Sequence, residues 1–214
     1  MGIFHGFRHK WSKREVAVSS VWALLFFLFS LISTYLAGAY AAAMASGKVN
    51  DVLLDNLPVV DVKIIVFQLA IAFIIALAIA LILNPQKIPF TLKSLALFTF
   101  IRSLFLVMTH LSPYLGIEYQ QSFFKADKLV VDFAFGADLF FSGHTGVPFL
   151  LALIFWHNVR LRIFFIIASA VSGAAVLLGH LHYSIDVFAA YFITYSIFIL
   201  SKKFFKRDYE LFFQ

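Results

Sequence analysis

Residues 62–83 read VKIIVFQLAIAFIIALAIALIL. Apart from Lys63 at the start and Gln68 less than two turns later, every side chain is apolar. A helix rises 1.5 Å per residue, so a stretch of about 20 apolar residues crosses a hydrocarbon core of ~30 Å. Working outward from this segment, five more stretches meet the same test: 15–45, 91–111, 138–157, 162–179 and 182–201. The first is long enough to tilt or to run past the bilayer. Turn chemistry separates them, at Ser46-Gly47-Lys48-Val49-Asn50-Asp51, at Asn84-Pro85-Gln86-Lys87 and at His157-Asn158-Val159-Arg160. The pattern predicts an all-α, polytopic protein with six transmembrane helices in one integral membrane domain covering 1–214.

Composition excludes the alternatives. Hydrophobic residues make up 62% of the 214 and charged residues 13%, with 28 Phe. Soluble domains carry about 25% charge, and so few charges cannot cover a wetted surface. Disorder is excluded by the same figures. The absence of Cys removes disulfides, thiolate catalysis and Cys-bound zinc. A net charge of +6 in so apolar a chain points to loops facing an anionic membrane surface rather than to nucleic acid.

Lys and Arg placement orients the spans. Arg8, Lys10, Lys13, Arg14, Lys87, Lys93, Arg160, Arg162, Lys202, Lys203, Lys206 and Arg207 fall on one side, and Lys48, Lys63, Lys125 and Lys128 on the other. Both termini are therefore expected in the cytoplasm. A signal peptide ending at Ala43-Met44-Ala45 is the other reading of the start, but its apolar run exceeds the 7–15 residues of an h-region. Small size, short loops and no targeting tail point to a bacterial inner membrane. The connection 112–137 is expected to be the only sizeable outer loop, either a lid on the membrane face or a plain connector.

Ionisable groups at membrane depth are costly and mark functional sites by default. Arg102, Asp138, His144, His180, His182 and Asp186 lie within or at the ends of spans, and the topology carries all six to the outer half. With span four entering at Asp138, His144 would lie ~9 Å deep. His182 and Asp186, at i and i+4, would share a helix face, where the carboxylate takes a ring N–H and fixes the tautomer. Ser142-Gly143-His144-Thr145 sets a second imidazole near a helix start, and helix N-termini hold anions such as phosphate. Two histidines, an Asp, an Arg and an anion-binding helix start describe phosphoryl transfer through a phosphohistidine. His5, His9, His110 and His157 read as ordinary helix-packing or surface groups.

These residues resemble a known family. Gly136-Ala137-Asp138-Leu139-Phe140-Phe141-Ser142-Gly143-His144-Thr145 is similar to the third signature of the sphingomyelin synthases. His182-Tyr183-Ser184-Ile185-Asp186-Val187, followed by Ala189-Ala190-Tyr191, is similar to their fourth, with Ser184 in place of Thr. Arg102, Thr109, Leu111 and Pro113 resemble the second, with Ser112 at one proline position. The likeness covers roughly 90–200. It implies the sphingomyelin-synthase-like branch of the type 2 phosphatidic acid phosphatase (PAP2) superfamily, a helical bundle with an outward-facing site. The phosphatase branch carries Lys-x6-Arg-Pro, absent here, and an Arg where this chain has Val176. Losing those cations favours a phosphodiester over a phosphomonoester, although Arg102 and His180 would offer a replacement clamp.

The resemblance implies that His182 attacks the phosphorus of a glycerophospholipid headgroup, with Asp186 holding it. His144 would protonate the departing diacylglycerol and then deprotonate the acceptor, ceramide or water. Arg102, Ser142 and Gly143 would hold the phosphoryl oxygens, and Asp138 would meet a choline or ethanolamine cation or orient a histidine. His180 and Tyr183 complete the substrate-binding candidates. No cofactor or metal is implied. Three other readings compete: a lipid phosphate phosphatase with water as acceptor, an intramembrane serine protease, and a proton- or ion-coupled transporter. The protease reading lacks Gly where Phe140 stands and leaves His144 and Asp186 unexplained. The transporter reading lacks the Gly/Pro-broken midplane helices such proteins use.

Overall fold

The computed structural model describes residues 12–116 and 140–213. Among them the regular structure is helical, with one isolated bridge between Gly47 and Leu111. In chain order the helices are α1 (Lys13–Met44), α2 (Lys63–Leu83), a 3-10 turn (Pro85–Lys87), α3 (Ile88–Met108), α4 (Gly143–Ile154), α5 (Val159–Leu178), α6 (Ser184–Phe204) and α7 (Lys206–Leu211).

Capping chemistry explains where they start. Ser12 and Glu15 form a capping box at the head of α1. Asn158 accepts from the Leu161 amide at the head of α5. Helix α3 begins three residues ahead of the expected 91, because Pro89 lies in its first turn, where a missing N–H costs nothing. The fourth span departs most from expectation. Ser142 Oγ accepts from the Thr145 amide and sets the start of α4 at Gly143, and Phe155 closes the helix after 12 residues. Twelve residues rise only about 18 Å. The expected six spans thus become five helices long and apolar enough to cross a membrane (α1, α2, α3 with its leading turn, α5 and α6) and one shorter apolar helix.

Helices α1 and α2 bury little. In α1 the buried positions are Ala23, Ser30, Ala37, Gly38 and Ala41, small residues that let α3 lie close. Trp22, Leu25, Phe29, Ile32 and Leu36 point outward. In α2 only Val66 and Ala80 are buried, while Ile71, Ile75, Ile79 and Ile82 are exposed. Outward-facing apolar side chains on helices of this length mark an integral membrane protein. The core lies between α3, α4, α5 and α6, where Phe90, Phe98, Phe141, Leu150, Leu151, Phe165 and Ile197 are buried. Gly146 is where three of these helices meet: a Cβ there would stand 2.7 Å from Phe98 Cζ and 2.8 Å from Thr194 Oγ1.

The connection from α1 to α2 folds back over one end of the bundle. The Ser46 amide donates to His110 O (3.0 Å), Ser112 to Gly47 O (3.2 Å) and Val60 to Leu178 O (2.9 Å). It is therefore a second substantial connection at the end where only 112–137 was expected. Of that expected loop, residues 117–137 lie outside the described residues. At the opposite end, Lys93 on α3 pairs with Asp208 on α7 at 2.6 Å, and Ser19 on α1 donates to the same carboxylate at 2.5 Å.

Candidate active site

The site is built on two chain reversals, one before α4 and one before α6. Helix α5 ends in a Schellman-type turn, with the Leu181 amide donating to Val176 O (2.9 Å) and the His180 amide to Leu177 O (3.0 Å). The left-handed position of that motif, usually Gly, is occupied by His180 at φ 50°. The apolar contact that accompanies the motif is made by Leu181 and Val176 in one buried cluster. The chain leaves this turn extended through His182 and Tyr183 and enters α6 at Ser184.

His182 therefore lies ahead of the helix rather than on its face. Tyr183 is the N-cap, and Asp186 is the third helical residue. An acidic residue at that position reaches back to the N-cap amide, and Asp186 Oδ2 accepts from the Tyr183 amide at 3.2 Å. The same oxygen stands 3.4 Å from His182 Nδ1. Capping geometry, not a shared helix face, joins the pair. All three residues are buried: His182 is 3% exposed and Asp186 1%.

The second reversal supplies His144, which occupies the first turn of α4. It is thus nearer the helix start than an entry at Asp138 would have put it. Its ring faces that of His182, with centroids 5.9 Å apart at 64°. A backbone bond from the Ser142 amide to Asp186 O, 2.9 Å, locks the start of α4 to the first turn of α6. Arg102 arrives from α3, buried, with Nε donating to Phe141 O at 3.1 Å. Gly143 lies against it: a Cβ there would stand 3.5 Å from the guanidinium carbon, an ordinary contact distance. The guanidinium is within electrostatic range of both Asp186 and His144.

The structure thus brings together Arg102, Ser142, Gly143, His144, His182 and Asp186. His180 and Tyr183 face another way. The His180 ring packs edge-on against Tyr114, centroids 5.4 Å apart. Burial holds its imidazole below the usual pKa, against the opposing pull of the Leu57 backbone and Asp51. The Tyr183 hydroxyl donates to Ser112 O (2.8 Å) and accepts from the Val49 amide (3.3 Å). Ser142 Oγ serves the cap of α4. Asp138 lies outside the described residues. The His110 ring meets Tyr40 edge-on, and the His157 ring meets Phe213 edge-on.

Sequence reasoning passed over Asp51, which reaches the start of α6 from the α1–α2 connection. Its Oδ2 accepts from the Ser184 amide at 2.7 Å. A loop aspartate between Asn50 and Val52 carries no signal that separates it from a solvated turn residue.

As an assembly, an imidazole oriented by a carboxylate, a second imidazole across from it and a buried guanidinium can attack, protonate and neutralise an anionic centre. Comparison with curated proteins and with solved structures yields no match. Residues 136–203, about a third of the chain, match the family described as PAP2 superfamily C-terminal. The matched span contains His144, His182 and Asp186, and it supports placing the chain in the PAP2 superfamily, whose members are phosphatases and phosphotransferases.

Proposed function

We propose that this protein transfers or hydrolyses the phosphoryl headgroup of a glycerophospholipid through a phosphohistidine at His182, in the manner of a sphingomyelin or ceramide-phosphoethanolamine synthase. The observation that carries the reading is the His182–Asp186 contact at 3.4 Å with the His144 ring on the other side of His182. With Nδ1 turned to Asp186, Nε2 keeps its lone pair for phosphorus. Attack forms an N–P bond and breaks the bond from phosphorus to the diacylglycerol oxygen. His144 gives that oxygen its proton, and Asp186 offsets the positive charge on the phosphorylated ring. In the second half His144 takes the proton of the acceptor hydroxyl, the acceptor oxygen attacks phosphorus, and the N–P bond breaks. Arg102 neutralises the phosphoryl oxygens throughout, and Ser142 and Gly143 line the approach. Asp138 remains the candidate partner of a headgroup cation, whereas His180 and Tyr183, turned toward Tyr114 and Ser112, support the turn that carries His182.

The acceptor is ceramide in the transferase reading and water in the hydrolase reading. The superfamily match covers a second reading equally well, a phosphatidic acid-type phosphatase with the same nucleophile. Charge supports the choice of face: Lys87, Arg160, Arg162, Lys202, Lys203, Lys206 and Arg207 lie at the end of the bundle away from His144 and His182, which favours a site on the non-cytoplasmic side with both termini in the cytoplasm, and small size with short loops favours a bacterial inner membrane.

The test is purified protein with fluorescent phosphatidylcholine, phosphatidylethanolamine and phosphatidic acid, with and without ceramide, against His182→Ala. Diacylglycerol that requires ceramide, together with a new phosphosphingolipid, establishes the transferase. Diacylglycerol from a diester lipid in water alone establishes the hydrolase, and turnover of phosphatidic acid only moves the phosphatase to first place. Wild-type turnover by His182→Ala removes the mechanism.

A further inference from the structure

We infer that Asp51, on the connection between α1 and α2, is a positioning residue for the nucleophile; the inference rests on His182 holding that role. The first amides of a helix have no partner within it. At the head of α6, Asp186 takes the Tyr183 amide, and the Ser184 amide is taken by a carboxylate 133 residues away in sequence. Asp51 is 7% exposed, and both its oxygens are engaged: Oδ2 by Ser184 at 2.7 Å, Oδ1 by the Leu53 and Leu54 amides at 2.9 and 3.1 Å. These backbone donors hold the carboxyl below its ordinary pKa although burial pushes the other way, so it is ionised at neutral pH. Leu54 packs beneath the Tyr183 ring in the same small buried cluster.

The consequence is mechanical. His182 precedes α6 and is held to it through the Asp186 carboxylate, so its aim depends also on where the turn 180–184 is held. Asp51 pins Ser184, two residues past His182, to a loop that is itself tied to residues 110, 112 and 178. Misplacing a reacting group by about 1 Å costs on the order of 10²-fold in rate. Asp51 is bonded to the Ser184, Leu53 and Leu54 amides, so it acts on the nucleophile through the backbone.

Asp51→Asn separates the two functions of the carboxylate. The amide oxygen can keep the local turn to Leu53 and Leu54, while its NH₂ then opposes the Ser184 N–H. The expected result, per folded molecule, is a fall in kcat of about 10- to 100-fold with KM for the phospholipid within about twofold, and faster hydrogen exchange at residues 182–186 than in wild type. Asn56→Ala, which removes a side-chain bond confined to the same loop (to Val52 O), is expected to leave both readouts unchanged. Wild-type kcat and exchange in Asp51→Asn, or losses that merely track the folded fraction, overturn the inference. If His182→Ala retains turnover, the phosphohistidine reading fails instead. Unchanged exchange at 182–186 in Asp51→Asn would still overturn the tether, and localised acceleration there would support it.

Discussion

Both ends of the bundle bury ionisable groups, and they handle them in opposite ways. At the far end, Lys93 and Asp208 meet at 2.6 Å with Ser19 on the same carboxylate, joining α3, α7 and α1. Every bond there runs from one helix to another. At the site end Arg102 donates to Phe141 O ahead of α4, and Asp186 takes the Tyr183 amide of its own cap while standing beside the His182 ring, so bonds that tie the elements together also aim the reacting side chains. The first arrangement neutralises its own charge. The second sets two imidazoles beside a guanidinium and a carboxylate, the groups that the proposed phosphoryl transfer uses. Burial of charge alone therefore does not identify a site; what the charges are bonded to does.

The largest expected effects break the site end without disturbing the fold. His182→Ala should abolish turnover and acid-labile phosphoenzyme, and His144→Ala should lower turnover by roughly 10²–10⁴-fold, the usual worth of a general acid–base, while phosphoenzyme still forms slowly. Neither side chain bridges helices as Lys93 does, so thermal unfolding in detergent should shift little. A large loss of stability in either variant would erase the contrast between the two ends.

Much of this was readable from the chain alone. Residues 62–83 announce α2 to within one residue, because an unbroken apolar run of that length has few other uses. The gathering of Arg102, His144, His182 and Asp186 follows from span direction, since alternate connections return to the same end. Other features were hidden in ways that have physical causes. A spacing of i and i+4 looks the same whether both residues are helical or, as with His182, one precedes the N-cap. Ser142-Gly143-His144-Thr145 was legible as lying near a helix start, but with the span entering at Asp138 only the bond from the Thr145 amide shows that Ser142 itself is the cap. Asp51 and Asp208 are paired with Ser184 and Lys93, partners 133 and 115 residues distant. No periodicity carries such pairings.

The next effect tests the far end as a structural clasp. Asp208→Ala strands Lys93, whose side chain is only 16% exposed, and should cost about 3 kcal/mol, the lower bound for breaking a buried pair. Replacing both Lys93 and Asp208 with Leu should recover much of that loss, because two matched apolar groups need no partner. Denaturant titration measures both. Turnover per folded molecule should stay at the wild-type level. If it falls while stability holds, the far end takes part in the chemistry and the two ends are not distinct.

The smallest effect separates burial from charge within one short helix. Arg207 precedes Asp208 on α7 and pairs with Glu15 at 2.9 Å, a contact as short as many buried ones, yet its side chain is 65% exposed. Exposed pairs are screened by water and salt and contribute about 0–1 kcal/mol. Arg207→Ala should therefore cost no more than that, and raising the salt from about 0.05 to 0.5 M should remove most of the difference from wild type. Asp208→Ala should respond far less to salt. If the two neighbours prove equally costly and equally salt-sensitive, enclosure is not what makes the Lys93 pair strong. The far end would then be an extended surface network joining α1, α3 and α7, and its contrast with the site end would rest on bond partners alone.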